Sequence, residues 1–333
     1  MKFFFVLQIF LLLNINQVFS QGINITGLEK TWDAEIELDF QYFKKMLKHL
    51  KKEGVNEIRI PVDLNKKINK SSNKKVKHFK NLVYKLNRYA LRKDFTIVWA
   101  NFNHDLTHEN YESKIELILK NWLIFLDYLK YNGSLHNRVY FEIVNEPKIY
   151  PKEWYEASEF IIQKIRSVHP EANIILGSSN YNSIYELSRM KPLPYSNITY
   201  CFHFYEPFIF THQGTEWTGP QNSTVGIPFP YDSLSMPKLS NKAKNTDGEI
   251  NFRDYKLTGN IHAIIDKLKI VKKWQDRYNV KVWCTEYGVT KNADKVSRKY
   301  YLRKVKDALE FYDIKGFLWE YKGNFGVKEL IFD

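Results

Sequence analysis

Strand-like and helix-like segments alternate along nearly the whole chain. Short runs rich in β-branched and aromatic residues are followed by longer segments whose apolar residues recur at helical spacing. The runs are "GINI" (22–25), "VNEIRIPV" with a stop at Pro61, "FTIVWANF", "VYFEIVNEP", "NIILGS", "ITYCFHFYEP", "KVWCTEYG" and "KGFLWEY". Helices are expected over 38–52, 77–91, 114–131, 153–168, 183–190, 260–278 and 295–312, with a long irregular insert over 208–255. Strands separated by helices imply a parallel sheet. Eight such units in one domain favour an α/β fold closed as a single (β/α)8 TIM barrel over an open doubly wound sheet. After "WEYKGNFGVKELIFD" little chain is left, so the closing C-terminal helix is expected to be missing or vestigial. No GxGxxG or P-loop pattern follows a strand, which argues against a nucleotide enzyme.

Residues 1–20 read as a signal peptide: Lys2, an apolar run from Phe3 to Leu13, and Val18-Phe19-Ser20 before Gln21. The run is shorter than the roughly 20 apolar residues of a membrane span. Residues 21–333 are then one exported domain, extracellular or periplasmic, with no membrane contact after signal removal and expected as a monomer. The formal charge of +13 falls mostly on lysines of the wet helix faces. No basic run is interleaved with aromatics, so nucleic acid is not an expected partner. Cys201 and Cys284 are too few for a disulfide framework. They are expected as buried free thiols, with a bridge open if they face each other inside the barrel. Sequons begin at Asn24, Asn69, Asn132, Asn197 and Asn222.

In a barrel of this kind the functional mouth lies at the C-terminal ends of the strands. The sequence gathers polar residues there: Arg59 on the second strand, Asn101, Asn103 and His104 on the third, Asn145 and Glu146 on the fourth. His203, Tyr205 and Glu206 follow on the sixth, Glu286 and Tyr287 on the seventh, and Trp319 and Glu320 on the eighth. Polar residues at the tips of apolar strands build a poor core but a usable pocket. Glu146 and Glu286 end strands that lie across the barrel from each other. Two carboxylates facing over a cleft suit glycoside hydrolysis, one protonated to release the leaving oxygen and one ionised to attack. Glu142 lies deeper on the same strand and reads as a buried structural acid. Trp32, Trp99, Trp122, Trp154, Trp274 and Trp283 read as packing. No metal-ligand spacing and no Gly-x-Ser-x-Gly elbow occur, and "HDLTHEN" reads as loop.

The ordered set "IRIP", "NEP", "HFY", "TEYG" and "LWE" resembles glycoside hydrolase family 5, the cellulase family, and "YEPFIFTHQGTEW" (205–217) resembles the loop after strand six in its bacterial endoglucanases. The resemblance implies Glu146 as general acid/base and Glu286 as nucleophile. It implies Asn145 as the residue binding the sugar 2-OH, Arg59 and Tyr205 as the pair beside the nucleophile, and His203 as the histidine near the acid/base. It implies Trp319 as the platform under the sugar, with His212 and Trp217 on a loop bordering the cleft. Relatives carry a histidine at the end of strand three. An ungapped reading puts Asn101 and Phe102 there, leaving either His104 to reach in or Asn101 to substitute. The implied activity is retaining endo-β-1,4-glucanase, with a β-linked polysaccharide or oligosaccharide as substrate and with no cofactor and no metal. The alternatives are β-mannanase, xyloglucanase or exo-β-glucanase on the same scaffold, a non-catalytic glycan-binding barrel, and a basic binder of acidic polymers.

Overall fold

A computed structural model describes residues 21–29, 38–103, 106–130 and 137–332. The leader expected over 1–20, together with Trp32, His104 and Asn132, lies outside them. Eight parallel strands close in sequence order into a barrel. They are β1 (Gly22–Asn24), β2 (Glu57–Val62), β3 (Thr96–Asn101), β4 (Val139–Glu142), β5 (Asn173–Gly177), β6 (Ile198–Phe204), β7 (Lys281–Tyr287) and β8 (Lys315–Leu318). The seam is sealed by β1 pairing with β8, Ile23 opposite Leu318. Gly22 is needed there, because a Cβ on it would fall 2.3 Å from Cδ1 of Phe317.

Around the barrel run α1 (Phe40–Lys52), α2 (Asn73–Arg92), α3 (Tyr111–Lys130), α4 (Pro151–Val168), α5 (Ile184–Arg189), α6 (Asp247–Thr258), α7 (Ile261–Tyr278) and α8 (Lys295–Phe311). The first shows why the pattern folds as it does. Phe43, Met46, Leu47 and Leu50 are buried at helical spacing while its lysines stay on the other face. Asp39 caps it by accepting from the Tyr42 amide at 2.9 Å.

The barrel interior is plugged by Val98, Ile175, Cys201, Trp283 and Phe317. A larger layer lies between barrel and helices and contains Cys284. The two thiols therefore belong to different layers and do not face each other; both are free and buried. Trp99, Trp122, Trp154, Trp274 and Trp283 are buried, as packing requires. Asn24 and Asn222 are also buried, so neither of those sequons is open in the folded chain.

Three boundaries depart from the sequence reading. β2 does not stop at Pro61 but runs to Val62, with Pro61 opposite Ala100. β4 ends at Glu142, four residues before Glu146. The irregular insert holds α6, whose buried residues are only Gly248 and Tyr255, too few to give an apolar stripe. After β8 the described chain forms one π-helical turn, Lys328–Phe332. Its Phe332 ring meets His49 of α1 edge-on, centroids 5.8 Å apart.

Candidate active site

The mouth is built by irregular backbone where regular strands end. Past β4 the chain stays attached to its neighbours, the Ile143 amide donating to Ile175 O (3.1 Å) and the Asn145 amide to Asn101 O (2.9 Å). Glu146 then takes a left-handed conformation, φ 49°. A non-glycine residue held there stores strain of about 1–3 kcal/mol, and such strain clusters at functional sites. On the far side, the β6–β7 register slips between Phe202 and His203, so that His203 sits opposite Glu286. The bulge re-aims both side chains into the mouth.

Arg59, fully buried on β2, ties these ends together. It donates Nε and Nη2 to the two oxygens of Glu142, each at 2.7 Å. Its Nη1 reaches Glu286 Oε1 at 2.7 Å and Asn24 Oδ1 at 2.8 Å, and Nη2 reaches Asn145 Oδ1 at 2.7 Å. Asn24 in turn donates to Thr285 O and Leu318 O, both at 3.1 Å. A buried cation with this many partners stays charged: burial opposes the charge, but Glu142 and Glu286 outweigh it and raise the guanidinium well above its ordinary value. Glu142 is thus the structural acid the sequence suggested, and breaking such a buried pair costs about 3–5 kcal/mol.

Glu286 accepts from Arg59 on Oε1 and from the Tyr205 hydroxyl on Oε2 at 2.8 Å. Burial pushes its carboxyl above the ordinary value; His203, Arg59 and the Tyr205 hydrogen bond pull it back, while Glu146 adds to the rise. His203 Nδ1 lies 2.7 Å from Glu146 Oε1 and 3.6 Å from Glu286 Oε2. Burial alone would lower the imidazole, but the charges of Glu286 and Glu146 raise it overall. One donor atom each from Glu146, His203 and Glu286 lie within 4.8 Å of one another. Among the described residues, that is the one His/Cys/Asp/Glu group compact enough to hold an ion. Arg59 and Tyr205 already occupy the Glu286 oxygens, so protein hydrogen bonds account for the grouping without one.

A model of the cellulase family, glycosyl hydrolase family 5, matches residues 17–325. The chain belongs to that family. Endoglucanase 3 of Fibrobacter succinogenes (strain ATCC 19169 / S85) is 27% identical, over 93% of this chain and 50% of that protein. Endoglucanase C of Acetivibrio thermocellus is 32% identical, over 55% of this chain and 53% of that protein. The chain thus spans about half the length of the curated relatives it matches. A crystal structure of a hyperthermophilic endo-β-1,4-glucanase in complex with substrate superposes with a TM-score of 0.73 at 23% identity, covering 94% of this chain and 92% of that one. This likeness shows the shared fold.

The rest of the cellulase-family mouth is aromatic. Trp319 stacks on Phe102, centroids 5.7 Å apart and planes 7° apart, and Arg59 lies over the other ring at 5.4 Å from the Phe102 centroid. Phe102 thus contacts both the Arg59 guanidinium and the Trp319 ring. Asn101 donates to Ile143 O at 3.4 Å, which ties β3 to the chain just past β4. His212 stacks on Phe208 (3.8 Å) and meets Tyr205 and Phe325 edge-on (5.0 Å each). Burial drops its imidazole to about 3, so it is neutral. Trp217 is largely exposed at the edge of this group, 6.3 Å from Phe325. Exposed His108 of "HDLTHEN" pairs with half-buried Glu153 at 2.9 Å, a contact at the surface. Sequence reasoning missed Asn24, Phe325 and Asn182, and named Phe102 only as a residue at the end of strand three. Only Asn24 carried a signal, a polar residue within an apolar strand.

Proposed function

We propose that the protein is a retaining endo-β-1,4-glucanase working through Glu146 and Glu286. The separation of the two carboxylates supports this most directly, since oxygens of both fall within 4.8 Å of each other. Retaining glycosidases hold their carboxyl groups about 5–5.5 Å apart, whereas inverting ones need about 6.5–9.5 Å to admit a water. In this reading Glu146 donates its proton to the glycosidic oxygen as Glu286 attacks the anomeric carbon. The C–O bond to the leaving sugar breaks, and a glycosyl ester forms on Glu286. Glu146, now ionised, takes a proton from water, whose oxygen displaces Glu286 and restores the original configuration. Arg59 and Tyr205 keep Glu286 ionised, and Asn145 and Trp319 are the residues offered to the sugar. The endoglucanase names of the relatives support a β-1,4-glucan as substrate.

Following the anomeric proton of the first product from cellohexaose by NMR tests this. The β-anomer should appear first and the α-anomer only by mutarotation, with Glu286→Gln slower by several orders of magnitude. An α-anomer first would overturn retention. Equal release by Glu286→Gln would overturn the enzyme reading in favour of a glycan-binding barrel. Running β-mannan and xyloglucan alongside assigns the polymer.

A further inference from the structure

Behind the acid/base stands a residue that the double-displacement scheme does not use. After β5 the chain turns through Asn180, Tyr181 and Asn182, all left-handed at φ 52°, 62° and 55°. None is glycine, and three consecutive left-handed L-residues are costly. The turn is clamped by Ser178 Oγ donating to Ser183 O at 2.8 Å. Its result is to sink the Asn182 amide to full burial against the far edge of the His203 ring. Asn182 Nδ2 lies 3.1 Å from His203 Nε2 and 3.9 Å from Cys201 Sγ. The amide fits because residue 177 is glycine: a Cβ there would lie 2.1 Å from Asn182 Oδ1.

We propose that Asn182 is a positioning residue that holds His203 in the tautomer carrying its proton on Nδ1, and thereby sets the direction in which Glu146 gives up its own. An amide N–H aimed at Nε2 requires a lone pair there, so the ring proton sits on Nδ1 and is donated to Glu146 Oε1. That leaves Glu146 Oε2 to carry the catalytic proton toward the leaving sugar. In the opposite tautomer Nδ1 would be an acceptor, and the proton of Glu146 would be drawn to the ring instead of the glycosidic oxygen. The charged and titratable groups facing His203 are Glu146 from the end of β4, Glu286 from β7, Arg59 from β2 and Tyr205 beyond β6, with Cys201 behind Asn182. The two carboxylates favour a second proton on the ring. Among the described residues the Asn182 amide is the group placed to oppose one at Nε2.

This inference rests on the acid/base role given to Glu146, and its test is chosen to be separable from that role. On the alkaline side of the ring's titration, imidazole nitrogen NMR on the intact protein should show His203 Nε2 bare and Nδ1 protonated. The reverse would overturn the proposal whether or not the protein is active. Asn182→Asp places an acceptor at Nε2 and favours the doubly protonated ring. A cation beside the acid stabilises its ionised form, so the alkaline limb of kcat/KM should move to lower pH. kcat near neutrality should fall by roughly tenfold with KM little changed, less than the roughly 10²–10⁴ carried by general acid–base catalysis itself. A melting temperature that drops while the limb stays in place would mark Asn182 as merely structural and overturn the proposal. Full activity in Glu146→Gln would instead remove the acid/base reading and leave the tautomer to the NMR result.

Discussion

Glu286 keeps 5% of its side chain exposed, whereas Glu146, across the barrel, keeps 31%. Glu286 sits in a closed ring of partners, with a buried guanidinium on one oxygen and a phenol on the other. Glu146 is held on one oxygen by a histidine and sits on strained backbone with its other edge toward solvent. The same residue type at the ends of two parallel strands thus meets two environments. A group that must attack a carbon is best fixed and kept ionised by immovable donors. A group that must give, take and give back a proton needs access to water and a single lateral restraint. The barrel supplies each by a different device: a bulge and a buried cation for one, a left-handed residue four positions past the end of β4 for the other.

The comparison breaks most sharply with leaving group. Glu146→Gln should lose roughly 10²–10⁴ in kcat/KM on cello-oligosaccharides, yet cleave an aryl cellobioside with an acidic phenol at a much smaller loss. Glu286→Gln should fail on both. Stopped-flow and steady-state rates on the two substrates check it, and similar losses in both variants on both substrates would erase the distinction. Tyr205→Phe sharpens the other half. It removes one hydrogen bond to a carboxylate, worth about 1.5–3 kcal/mol, so kcat/KM should fall on the order of tenfold to a hundredfold. Because that bond pulls the Glu286 carboxyl down, its loss should move the acid limb of the pH profile upward; an unmoved limb would show that Arg59 and His203 suffice to keep Glu286 ionised.

The neutral ring beside them acts on stability and leaves the rate alone. His212 is held near about 3 by burial, against roughly 6.5 in an unfolded chain. Between those values the unfolded chain binds a proton that the folded ring refuses. Stability therefore falls as pH drops through this window, by up to about 1.4 kcal/mol per pH unit. Urea midpoints from pH 7 to 4 should fall less steeply in His212→Gln; parallel slopes would mean the ring is not what resists acid.

Much of this contrast was readable beforehand. Strand tips in apolar runs gave Glu146, Glu286, Arg59, His203 and Tyr205 because a polar residue ending a buried strand needs a partner. Their convergence follows from parallel strands all ending on one rim. What stayed hidden depends on local backbone choices with no compositional mark. The slip that puts His203 opposite Glu286 skips one residue of β7. Asn182 reaches His203 through three left-handed residues, none of them the glycine that would have announced such a turn. The contacts of Phe102 with both Arg59 and Trp319 exist only because those two arrive from other strands. α6 escaped because it presents hardly any buried face.

The wiring of Arg59 also bears on the order of synthesis. Its first carboxylate partner, Glu142, follows 83 residues later in the chain, and its second, Glu286, follows 227 residues later. As the polypeptide is made, Glu142 is therefore present well before Glu286. A partly made chain thus already carries one of the two counter-charges that the buried Arg59 needs, and Glu286 supplies the second.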